Sequence, residues 1–331
     1  MSGETGPGDR EKPGSEKMAE ERSGKEEAQA GMPVLPPASP APPESPKPKP
    51  AEEAPAALPA QATRYYVRFS LGQRYLHAAL FSAFIGLALT GLPLRFSQSA
   101  WAERFASIVG GFSAILFFHK CCAVVLTVTF LIHVGSIFRR GVLRRERGIF
   151  WGPKSLVPNP KDLADLYHHI RWFLWLGPRP KFGRFSYWEK FDYWAVFWGM
   201  AIIGLSGYTM WFAPFFSKLL PGRWLNIALV LHGEEALLAV WFIFVVHFFN
   251  SHLRPESFPM DLVIFTGKES EEEFRKKRPE EYERLVKEGK LDLTEVAPPL
   301  WLKNFGRIVG SLVLLIGFVL LVLTMYAFVR G

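Results

Sequence analysis

The 331-residue chain has only two cysteines, Cys121 and Cys122, side by side within an apolar run. That excludes a disulfide-stapled secreted scaffold. With no CxxCH anywhere, it also excludes covalent c-type haem and cysteine zinc sites. No nucleotide-binding glycine loop, iron–sulfur cysteine set or Ser/His/Asp order occurs, so nothing points to catalysis on a soluble substrate. Residues 1–63 lack aromatic side chains altogether and hold thirteen of the twenty-six prolines, set among Glu, Lys and Ala. Such a stretch cannot bury enough apolar surface to offset its ordering entropy, and it reads as a disordered cytoplasmic tail.

Beyond that tail the apolar residues arrive in long runs. A hydrocarbon core of about 30 Å takes roughly 20 apolar residues to cross as a helix. Five segments meet this: 75–94, 113–138, 192–213, 226–249 and 306–328. None carries an arginine in its middle, and aromatic residues such as Tyr75, Phe138, Trp194, Trp211, Phe249 and Tyr326 stand near their ends, as at a membrane interface. The expected fold is an all-α membrane protein: an up-and-down four-helix transmembrane bundle (64–261), a charged cytoplasmic helical segment (262–304) broken by Pro279, and a fifth, C-terminal transmembrane helix (305–331) of anchoring type.

Lys and Arg outnumber Asp and Glu, 39 to 31, and the excess is placed unevenly. Arg139, Arg140, Arg144, Arg145 and Arg147 open a basic stretch between the second and third spans. Arg64, Arg68 and Arg74 precede the first span, and Arg254 and Lys276–Arg278 follow the fourth. The alternate loops offer little beyond Arg95, Arg104, Lys218 and Arg223. This bias predicts a multi-pass membrane protein with its N-terminus cytoplasmic and its C-terminus outside. Insertion and anionic lipid account for the basic surface without nucleic acid. Within the basic stretch, Leu163, Leu166, Ile170 and Phe173 recur at helical spacing, which suits a helix lying in the interface.

Ionisable groups inside membrane helices are costly and default to function. Here they are histidines: His77 opens the first span, His119 and His133 lie in the second, and His232 and His247 lie in the fourth. The pairs are fourteen and fifteen residues apart, within about 40° and 60° of one face and roughly 21–22 Å apart in rise. In an up-and-down bundle the second and fourth spans run parallel. His119 and His232 then share the outer level, while His133, His247 and His77 share the cytoplasmic one. Zinc would ordinarily add a third protein ligand. Haem iron needs two axial imidazoles from facing helices, so two levels predict two b-type haems, or three if the spare histidines are used. Glycines at 86, 91, 199, 204 and 207 would leave room for flat macrocycles.

With RYLHAALFSAFIGLALTGLPL (74–94), KFDYWAVFWGM (190–200) and LHGEEALLAVWFIFVVHFFNSHLRPESFPMD (231–261), the chain resembles the di-haem cytochrome b subunits of membrane-bound formate dehydrogenases (gamma subunits) and the related hydrogenase and thiosulfate reductase cytochromes. The resemblance spans about 64–261. It implies His77 with His247 on the cytoplasmic haem and His119 with His232 on the outer one. His133 is an additional inner-level histidine that stands as the alternative inner ligand.

A two-haem electron path needs a donor and an acceptor. Embedding in lipid makes quinone the natural partner at one end, and the resemblance implies the same. The other end would meet a redox partner subunit of iron–sulfur or multi-haem cytochrome c type. Quinone chemistry moves protons with electrons, so its site should hold ionisable groups at the water boundary; the candidates are His168, His169, Glu189, Asp192, His252 and Arg254. The rival readings are a histidine-containing proton-coupled transporter, which would want inverted repeats and buried carboxylates, and a non-redox membrane anchor for a complex.

Overall fold

The computed structural model describes residues 63–330. They form helices α1 (Leu71–Arg95), α2 (Ala100–Val109), α3 (Phe112–Leu143), α4 (Pro160–Phe173), α5 (187–211), α6 (Arg223–Leu253), α7 (Glu271–Lys277), α8 (Pro279–Lys287) and α9 (Leu300–Arg330), joined by loops and single turns. The tail expected over 1–63 lies, but for its last residue, outside the described residues. Local chemistry sets the helix starts. Ser70 and Gln73 form a reciprocal capping box ahead of α1, and the Glu189 carboxylate accepts from the Ser186 amide and hydroxyl ahead of α5. Pro279 ends α7 at the preceding residue, because its ring cannot follow a helical turn.

Four helices, α1, α3, α6 and α9, are long and apolar enough to cross a membrane, which makes the chain an all-α, multi-pass membrane protein in character. The expected third span differs. It is a continuous helix, α5, yet its first turns hold Glu189, Lys190 and Asp192, and Tyr193, Trp194, Trp198, Tyr208 and Trp211 stand where aliphatic residues would raise its hydropathy. Length and composition do not place it with the other four.

α1 lies along α3, α5 pairs with α6, and α6 closes back onto α1. The buried core sits between α1 and α6, with Ala88, Leu92, Leu237, Val240, Phe244 and Phe248, and Leu320 of α9 completes it. α9 docks through glycines: Gly306 faces Phe265, Gly310 faces Met260 and Gly317 faces Phe244, each closer than a Cβ could come without the neighbour moving.

The basic ends of α1, α5 and α6 meet a cap that the sequence pattern does not announce. Strand β1 (Tyr65–Val67) pairs antiparallel with β2 (Lys268–Ser270) on one side and β3 (Leu293–Thr294) on the other. The segment 262–304 is therefore helical only in part. Strands of two or three residues carry no readable alternation, and this pairing joins residues some two hundred positions apart. Tyr66 stacks on the fully buried Phe274 with ring centres 4.2 Å apart, giving the cap its own small core.

Candidate functional site

α1, α3, α5 and α6 enclose an apolar cavity of about 1600 Å³, with part of α9 in its wall. A single small-molecule site takes roughly 300–1,000 Å³, so this space suits more than one ligand. His77, His119, His232, His247 and His252 all face it. His232 and His247 are separated by fifteen residues of one helix, so the imidazoles occupy two levels.

A regular α-helix would leave His247 about 60° off the His232 face. α6 is not regular: its stretch Phe242–His247 is π-helical. A π turn accommodates one extra residue, so the fifteen-residue spacing winds as fourteen would and both rings reach the same cavity.

At the level of His119 and His232 the ring centres are 6.2 Å apart with planes at 76°. Two metal–nitrogen bonds of about 2 Å, plus about 1 Å from each nitrogen to its ring centre, also sum to roughly 6 Å. The hydrogen bonds fix the tautomers. The Thr90 hydroxyl donates its one proton to the Gly86 carbonyl at 2.6 Å, so at its 2.9 Å contact with His119 the ring Nδ1–H donates. His232 Nδ1–H donates to the Ile203 carbonyl at 2.9 Å. Each ring is left with Nε2 as a lone pair that has no protein partner among the described residues. Both rings rest on glycine: a Cβ at Gly91 would lie 3.1 Å from His119 Cε1, and one at Gly207 would lie 2.9 Å from His232 Cε1. Arg95, paired with Glu234 at 2.7 Å, and Lys120 stand at this end of the wall.

At the other level His247 Nδ1–H donates to Asp192 Oδ2 at 3.0 Å, which again frees Nε2. His77 lies within electrostatic reach of both His247 and His252. Asp192 Oδ1 and His252 Nδ1 are buried on the cavity wall with no hydrogen-bond partner among the described residues. Among the described residues no group of three or more His, Cys, Asp or Glu could hold a metal ion in a protein cage. The opposed His119–His232 pair beside two glycines fits a planar macrocycle, which needs only two such ligands.

The remaining sequence candidates lie elsewhere. His133 is off the cavity wall, with Nε2 3.1 Å from the Tyr193 hydroxyl and its ring edge-on to Tyr193 and Phe197. His168 is exposed on α4, and Arg254 is buried with its guanidinium 4.1 Å above the Trp188 ring. Glu189 is held in ion pairs by Arg278 at 2.8 Å and Arg68 at 3.3 Å. Burial pushes its carboxyl up, and the two guanidiniums overcome this to hold it down at about 2. His169 is buried among Trp172, Phe173, Phe182, Tyr187 and Trp188, bonded through Nδ1 to the Tyr187 hydroxyl at 3.0 Å. Of the quinone candidates, Asp192 and His252 alone face the cavity. Sequence reasoning missed the tautomer-setting contacts of Thr90 and Ile203. A lone threonine in an apolar helix is the signal for the first; a backbone carbonyl leaves none.

His169 gives a pH prediction. Burial, then the nearby Arg254 and Arg179, lowers its pKa to about 4, with Glu256 opposing. The unfolded chain takes up that proton near 6.5 and the folded one does not, so the docking of α4 weakens as pH falls from about 6.5 towards 4. Hydrogen exchange over 160–173 should show less protection at pH 5 than at pH 7, and His169→Phe should flatten the difference. Equal protection at both pH values in the unaltered chain would count against it.

No family model matches the sequence, and no curated protein matches it either.

Proposed function

We propose that the chain is an integral b-type cytochrome of the bacterial inner membrane, carrying electrons across the bilayer between a redox partner subunit and the quinone pool. One observation carries this reading: a single apolar cavity receives imidazoles at two levels, and on three of them Nδ1–H is already committed to the protein. Haem b, once bound, supplies one-electron chemistry at each level. The protein's residues do the rest. His119 and His232 would present Nε2 to the outer centre, and His247, through Nε2, would hold the inner one together with His77. The glycines keep the contact faces flat, and the apolar wall keeps water out.

Crossing then takes five spans, with α5 among them because it packs along α6, and the basic loops set the N-terminus in the cytoplasm. At the inner end, Asp192 and His252 are the ionisable groups placed to pass protons to and from a quinone. The resemblance to formate dehydrogenase gamma subunits implies the same two histidine pairs and the quinone partner; the fifth helix lies outside the part it covers.

A reduced-minus-oxidised spectrum of the purified full chain, with haem quantified per polypeptide, tests the reading. Two low-spin b-type haems per chain are expected. A chain that purifies folded from haem-replete cells without haem ends the proposal.

A further inference from the structure

The first turn of α5 is held far more tightly than a helix start requires. Ser186 already caps it through Glu189. The same carboxylate receives a two-pronged bond from Arg278, Nη1 to Oε2 at 3.0 Å and Nη2 to Oε1 at 2.8 Å, and a third bond from the buried Arg68 at 3.3 Å. Arg68 and Arg278 also both donate to the Arg184 carbonyl, at 3.0 and 2.9 Å. The next residue, Lys190, is buried and bonds both oxygens of Asp162 at 2.8 and 2.9 Å, tying this turn to the start of α4. Trp194 Nε1 donates to the Leu156 carbonyl at 3.1 Å. Thus Arg68 before α1, the Asn159–Asp162 turn of α4 and Arg278 between α7 and α8 all converge on one helical turn.

Ion pairs taken out of water gain little net stability, because desolvation offsets their attraction. What a two-pronged guanidinium–carboxylate bond does supply is geometry. Three residues beyond Glu189, the same side of the helix carries Asp192, whose Oδ2 accepts from His247 Nδ1–H at 3.0 Å. A carboxylate on the far nitrogen of a metal-binding imidazole raises the basicity of the ligand and fixes its orientation.

We propose that Glu189 is a positioning residue: clamped to Arg278 and Arg68, it fixes the register of α5 so that Asp192 stays seated on His247. The cap formed by 64–70 and 261–294 thereby tunes the inner centre from outside the cavity. This rests on the haem reading above.

The test is a redox titration of the full chain in nanodiscs, resolving the two centres. Because the Asp192 carboxylate favours the oxidised metal, Asp192→Asn should move the inner midpoint to a more positive potential. Glu189→Gln, which leaves Asp192 in place but loosens its helix, should shift it the same way by less. The outer centre should not move in either variant. Arg278→Lys, which keeps the charge and loses the fork, is the second variant should Glu189→Gln fail to assemble, and it should shift like Glu189→Gln. Lys181→Ala, which breaks the exposed pair with Glu283 in the same cap, should leave both potentials unchanged.

Two haems with unshifted inner potentials in Glu189→Gln or Arg278→Lys would overturn the proposal while leaving the cytochrome reading intact. An unshifted Asp192→Asn would overturn it as well. A parent chain without haem would instead sink the underlying reading, and this inference with it.

Discussion

His232→Ala is expected to lose one of the two low-spin haem signals and keep the other. His119→Ala should lose the same one. These rings face each other at 6.2 Å, and no other imidazole stands at their level of the cavity to take the vacant place. His133→Ala is the decisive control. From spacing alone His133 belongs to the inner level, yet its ring bonds to Tyr193 off the cavity wall. Its replacement should leave both signals intact and cost only the packing and hydrogen bond of a partly buried side chain, about 1 kcal/mol. Loss of a haem signal in His133→Ala, with both signals kept in His232→Ala, would reverse the ligand assignment. Haem content per chain and the resolved reduced spectrum are the measurements.

Gly207→Ala should nearly abolish the outer centre through one methyl group. In an exposed helix the change would favour the helix by nearly 1 kcal/mol. Here the new Cβ would lie 2.9 Å from His232 Cε1 and 3.2 Å from Nδ1. The ring must swing away, and in doing so it surrenders the 2.9 Å bond to the Ile203 carbonyl that sets its tautomer. Thermal stability of the apoprotein should change little while the outer haem is lost or turns high-spin. Gly91→Ala, with 3.1 Å to His119 Cε1, asks for a displacement of a few tenths of an ångström and should broaden the same signal without abolishing it. An unaltered outer spectrum in Gly207→Ala would show that the glycine is there for helix packing alone.

The cavity was partly legible in the sequence and partly not, and residues divide the two cases. His119, His232, His77 and His247 stand out because imidazoles in apolar runs carry a solvation cost that needs a reason. Helical rise then sorts them by depth without any knowledge of packing. Which way a ring turns is another matter. His133 and His119 share a helix and lie within about 40° of one face, and the difference between them is made by Tyr193 on α5. His252 reads as a residue at the water boundary. It reaches the cavity only because α6 continues past His247 in a second π-helical stretch, Phe249–Leu253, and nothing in the local sequence distinguishes a π turn from an α turn. The same holds for Glu189: a capping residue by its position, it becomes a clamp only when Arg68 and Arg278 arrive from segments far apart in the chain.

The order of amino acids is enough to specify the runs of residues that must leave water, the side on which positive charge collects, and the depth of each histidine. These follow from composition and from the fixed rise of a helix, which any neighbour leaves unchanged. Packing between the helices settles which imidazoles share a cavity, which nitrogen of His119, His232 and His247 keeps its lone pair, and how the cap grips α5. Those are matters of contact between segments distant in the chain, set by packing, by π turns that re-aim a face, and by the hydrogen-bond acceptors that a neighbouring backbone happens to offer.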